Sequence, residues 1–129
     1  MEYTHFKIGN RVVLKKSNDP SFTGIRNNEI LEEKAIWLYS GIMGTIYSVN
    51  INTNFVLSVI WDNQKNLSLD PNSDEFEILP IEDMDIGNLI KTKSNLKYMN
   101  YSYLSEYIAK IENQINKMKV QILFLENTK

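Results

Sequence analysis

The sequence predicts a mainly β fold with an α appendage. A small β-barrel occupies residues 1–80, a linker with one short helix residues 81–99, and a long helix residues 100–129. Two observations predict it. Short runs rich in Val, Ile and aromatic residues, each broken by Gly, Asn, Asp or Pro, fill the chain as far as Pro80. Beyond residue 100 the apolar period lengthens, and large apolar residues recur at spacings of 3, 4, 3, 4, 3, 4 and 3, the signature of a helix with a heptad seam.

The elements follow in order. Gly9-Asn10 is a turn signal, and Arg11-Val-Val-Leu-Lys15 a strand. Residues 17–24, SNDPSFTG, are a loop. A short helix is expected near residues 29–36, before Trp37-Leu-Tyr39 leads into Gly41. Residues 42–49 read as a strand, 50–54 as a turn, and 55–61 as the strongest strand, so continuously apolar that it belongs inside a sheet. Residues 62–65 make a hairpin turn, with Asn63 the residue suited to a positive φ. Leu67 and Leu69 alternate with Ser68, Asp70-Pro71-Asn72-Ser73 breaks that strand, and residues 75–79 close the barrel. Gly41 and Gly44 supply positive φ or close strand approach. A helical turn is expected within residues 82–90, interrupted by Gly87.

In the C-terminal helix, Tyr101, Ile108, Ile115 and Ile122 take position a, and Leu104, Ile111, Met118 and Leu125 position d. This seam is the expected oligomer interface. Branched a and mainly unbranched d lean towards a parallel dimer, against which Ile111 at d counts. Position e holds Ser105, Glu112, Lys119 and Glu126, and position g Tyr107, Gln114 and Gln121, so salt bridges specify a partner poorly. Val120, Leu123 and Phe124 add apolar surface off the seam, which a two-stranded coil leaves wet. The alternative is a helix that packs on its own barrel.

Composition narrows the function classes. No segment approaches the roughly 18 apolar residues of a membrane span, and the N-terminal residues lack a basic-then-apolar leader pattern, so a cytoplasmic protein with no membrane partner is expected. There is no cysteine and one histidine, His5, which leaves no thiolate nucleophile, no triad and no His- or Cys-based metal site. Gly41-x-x-Gly44 precedes a strand and lacks the Lys-Ser/Thr of a phosphate loop. We expect no enzyme, no catalytic residues, no metal and no cofactor. Net charge is −2, against the basic excess usual in nucleic-acid binders. The charge is uneven: residues 62–85 carry eight acids against Lys65, and residues 91–119 six lysines against Glu106 and Glu112. These are solvated faces, or an acidic barrel edge that meets a basic helix.

The pieces Gly-Asn-Arg-Val-Val-Leu (9–14), Asn-Asp-Pro (18–20), Gly-x-x-Gly-Thr-Ile (41–46), Val-Ile-Trp-Asp-Asn (59–63), Leu-x-Leu (67–69) and Asp-Glu-Phe-Glu-Ile-Leu (74–79) have a familiar order and spacing. Together they resemble a small SH3-like barrel domain of unknown function found in phage and conjugative-element proteins. The likeness to the mind-bomb type of barrel is looser. In both, a glycine usually follows Trp-Asp-Asn, where this chain has Gln64. The resemblance implies an SH3-like barrel and a mobile-element setting, hence the cytoplasm of a bacterial host, and defines no ligand.

Binding surfaces are then the functional candidates. Trp37, Tyr39, Trp61 and Asp62 sit where an SH3-like barrel lines its partner groove. Against this, Trp37 and Tyr39 also suit the core, and Trp-Asp-Asn suits a self-bonded strand end and turn. Lys91, Lys93 and Lys97 with Tyr98 and Tyr103 form a basic-aromatic patch of the kind that holds nucleic acid or nucleotides. Tyr103 cannot share a helical face with Tyr101. The expected function is a non-enzymatic binding module, a phage or mobile-element accessory protein that self-associates and binds, and inhibits, a host protein. The alternative is a protein that binds or sequesters nucleic acid or nucleotides.

Overall fold

The computed structural model describes residues 6–16, 25–26, 29–30, 41–50, 57–71 and 74–127. It is a mixed α/β fold, one antiparallel sheet with helices against it. The strands are β1 (Arg11–Lys16), β2 (Ile25–Arg26), β3 (Glu29–Ile30), β4 (Met43–Val49), β5 (Leu57–Trp61), β6 (Asn66–Leu69) and β7 (Glu75–Leu79). Five of them form a sheet in the order β6-β5-β4-β1-β7, and β2 and β3 pair separately. Among the described residues the helices are α1 (Ile86–Met99) and α2 (Ser105–Asn127), preceded by single 3₁₀ turns at Ile81–Asp83 and Ser102–Leu104.

The sheet is open where closure was expected. β7 pairs with β1, not β6, so β6 and β7 are the two edges among the described residues. The short helix expected over residues 29–36 is also corrected at its start, because residues 29 and 30 pair as a strand with 26 and 25.

Both faces of the sheet are covered. Val12, Leu14, Ile46, Leu57, Val59, Trp61 and Leu69 point into one cluster, with Phe6 and Ile42. Tyr47 and Ile60 point the other way, into a cluster with Leu89, Leu96, Leu104, Ile111 and Ile115 of the helical layer. This two-sided burial is why β5 reads as an unbroken apolar run rather than an alternating one. Tight contact between β4 and β5 explains Gly44, where a Cβ would lie 2.6 Å from Val59 Cγ1. Gly41 has φ +95°, a conformation that favours glycine.

The expected linker is mostly helix. Asp85 caps α1 by accepting from the Asn88 N–H at 2.8 Å, which satisfies one of the free donors of a first turn. Gly87 falls in that first turn and does not interrupt the helix. Asn100 ends α1 in the left-handed region at φ 54°. The chain therefore breaks where the heptad seam was expected to start. Tyr101 is extended, Leu104 lies in a 3₁₀ turn, and α2 begins at Ser105. At 1.5 Å per residue its 23 residues span about 35 Å.

Candidate functional site

The Trp-Asp-Asn segment and Arg11 build the most ordered polar site. Arg11 ends a turn and opens β1, and its side chain points to the helical face of the sheet with only 2% exposure. Its guanidinium grips Asp62 in two bonds, Nη1 to Oδ1 at 2.6 Å and Nη2 to Oδ2 at 2.7 Å. Nε donates to Asn88 Oδ1 at 3.3 Å, and Nη1 also to Thr45 Oγ1 at 3.3 Å. Asn95 Nδ2 completes the array, donating to Asp62 Oδ1 at 2.9 Å and Thr45 Oγ1 at 3.2 Å. Among the described residues no buried side-chain nitrogen or oxygen lacks a partner. Arginine suits this place because its planar fork matches a carboxylate in two parallel bonds. The array joins β1, β4, the end of β5 and α1.

These bonds engage Trp61 and Asp62 within the fold itself, where the sequence reading expected them to line a binding groove. Trp61 is fully buried, and its Nε1 donates to the Leu67 carbonyl at 3.1 Å. Asp62 is engaged by Arg11 and Asn95. Asn63 Oδ1 accepts from the Lys65 N–H at 3.1 Å, while the positive φ expected at Asn63 falls on Gln64, at 66°. Trp37 and Tyr39 lie outside the described residues.

The lysine-tyrosine segment divides. Lys91 and Tyr98 are exposed seven positions apart on α1, with Lys97 exposed beside Tyr98. Lys93 faces α2 and pairs with Glu112 at 3.3 Å. Tyr103 belongs to another group. Its hydroxyl donates to the Tyr47 carbonyl at 2.7 Å, and Tyr101 stacks between the rings of Tyr47 and Tyr103, with centroids 6.0 and 5.7 Å away. Helical spacing would keep Tyr101 and Tyr103 apart; the extended residue and 3₁₀ turn bring them together. Burial pushes the Tyr47 and Tyr103 hydroxyls above the usual tyrosine value.

The seam residues divide too. Leu104, Ile111 and Ile115 are buried in their own helical layer, and Ile108 and Met118 are half-buried against it. That corrects the expectation of a seam open to a partner along its length. Tyr101 remains largely exposed, as do Ile122 and Leu125. Val120, Ile122, Leu123, Phe124 and Leu125 are between 45% and 66% exposed, which leaves the last turns of α2 apolar in water.

Sequence reasoning missed a cleft of about 490 Å³ between the first turn, the end of β4, the 3₁₀ turn and α2. Phe6, Ile8, Val49 and Ile81 line it, with Lys7 and Lys110. Its walls come from four separate stretches of chain, so no local pattern marks it. Among the described residues no acid or histidine cluster could hold a metal ion, and no helix is long and apolar enough to cross a membrane. No family model, curated protein or solved structure matches the chain.

Proposed function

We propose that this protein is a non-enzymatic binding module. In this reading the sheet is an SH3-like barrel in kind, carried by a phage or mobile element, and it occupies and inhibits a host protein while α2 self-associates. The observation that carries the reading is the apolar end of α2. Five large side chains stand largely exposed there, whereas the strongest polar array is fully engaged within the fold. A surface helix normally hides its apolar stripe, and exposed apolar surface of this extent marks a contact site. The test is affinity capture of the tagged chain from a bacterial host lysate at moderate salt, followed by native mass spectrometry. A stoichiometric protein, lost when Phe124 and Leu125 are replaced by Ser, supports the reading; a chain that retains none counts against it.

A second reading keeps nucleic acid or a nucleotide as ligand. It rests on Lys91, Lys97 and Tyr98, exposed together on α1. Lys93 and Tyr103 contribute less, being engaged elsewhere. Retained nucleic acid whose binding falls steeply with salt would favour this reading.

A further inference from the structure

The cleft beside α2 pairs an apolar wall with unpaired positive charge. We propose that it binds a small amphipathic monoanion, an acyl or aryl body ending in one carboxylate, at a site separate from the end of α2 on which the binding-module reading rests.

The wall comes from the meeting of the two apolar clusters. Phe6 and Val49 pack in the cluster on one face of the sheet. Ile8, Ile81 and Tyr107 pack on the cluster of the helical layer. All five line a space of about 490 Å³, within the roughly 300–1,000 Å³ of small-molecule sites. The wall is fixed by the fold itself. The Gly9 N–H donates to the Ile46 carbonyl at 2.9 Å, and the Ile46 N–H to the Asn10 carbonyl at 3.0 Å, which pins the first turn to β4. On the other side Ile81 lies so close that a Cβ at Gly9 would stand 2.9 Å from its Cδ1. A preformed wall spares a ligand the entropy of ordering it.

Charge selects the other end of the ligand. Lys7 and Lys110 line the cleft and are exposed. Among the described residues neither is in an ion pair. Lys110 lies over the Tyr107 ring, Nζ 5.5 Å from its centroid, which sets the ammonium beside the apolar wall. Glu82 is the acid among the described lining residues, so these three side chains sum to one positive charge. One carboxylate balances that charge; the several phosphate charges of a nucleotide exceed it. Because both lysines are exposed, the carboxylate keeps part of its water and escapes the desolvation that a buried ion suffers. The apolar body has the opposite need, and the wall takes it out of water.

Fluorescence titration of the full chain with anilinonaphthalene sulfonate, an aryl monoanion, against the uncharged phenylnaphthylamine tests the proposal. The expected result is saturable binding of the anionic probe and weaker binding of the neutral one. Lys7→Gln with Lys110→Gln should weaken the anionic probe about tenfold, as two contributions of the size of exposed ion pairs, and leave the neutral probe unchanged. Glu82→Gln should tighten the anionic probe, an opposite sign that a merely structural role for these exposed residues would not produce. Displacement of the probe by decanoate identifies an acyl ligand, and displacement by naphthoate an aryl one. Displacement by neither overturns the carboxylate assignment. Equal binding of the two probes, or an anionic probe indifferent to all three substitutions, overturns the site. Probe binding lost only with Phe124→Ser and Leu125→Ser belongs to the end of α2; it overturns the cleft and leaves the binding-module reading intact.

Discussion

At Arg11 a guanidinium with 2% exposure meets one carboxylate, Asp62, itself 28% exposed. Removing one partner of a buried pair leaves a charge in the interior, at a cost of about 3–5 kcal/mol. Asp62→Ala is expected near the low end of that range, because water reaches Asp62. Replacing both, as Arg11→Met with Asp62→Leu, should recover part of the loss, since an apolar pair of similar volume carries no desolvation penalty while Asn95 loses Asp62 as an acceptor. Denaturant unfolding of the two variants measures this. Gln64 offers an opposite change. Its positive φ of 66° strains a side chain by about 1–2 kcal/mol, which outweighs the roughly 0.4–1 kcal/mol that glycine's extra freedom costs through the unfolded state. Gln64→Gly should raise the denaturation midpoint at constant slope. The residue types of this turn were legible in the sequence. Which of them turns left-handed was not, because Asn tolerates that conformation better than Gln and local preference points to Asn63.

At the scale of elements, α2 is two helices in one. Its first half is core, and its last turns are surface. Ile111→Ala should destabilise the monomer by about 2–4 kcal/mol through the cavity it leaves. Ile122→Ala should shift it by less than about 0.5 kcal/mol. Thermal unfolding at a concentration too low for association compares them. A heptad count cannot separate the halves, since Ile115 and Ile122 have the same identity and the same phase. Only the extent of the sheet and α1 decides which is covered. The helix α1 was hard to read for a different reason. Its buried face includes Thr92 and Asn95, polar residues that a search for apolar periodicity discards. Asn95 is inside because Asp62 and Thr45 accept its amide hydrogens.

For the whole molecule, the strands of the main sheet and the apolar centre of β5 were legible from local runs, while its openness depends on pairings between distant strands. Stability towards alkali is another property of the whole. The neutral hydroxyls of Tyr47 and Tyr103 are favoured in the folded state, chiefly by burial. The unfolded chain ionises first, at the ordinary value of about 10. Their contribution is therefore fully present below pH ~10 and is lost as pH rises through the higher folded values. Tyr103→Phe should lower stability at neutral pH by about 1 kcal/mol, through the lost bond to the Tyr47 carbonyl. It should also flatten the alkaline decline. Denaturation midpoints measured between pH 8 and 11 would reveal both effects.

The Arg11 array also bears on the order of folding. Its bonds join residues 77, 51 and 34 positions apart from Arg11, and 50 and 33 apart from Asn95. Contacts across such spans must offset the entropy of closing the long stretch of chain between them. The array is therefore expected to form late in folding and to break early in unfolding. Its loss should speed unfolding while leaving the refolding rate almost unchanged. Asp62 then acts as a latch on the native state, and governs how long a folded molecule persists.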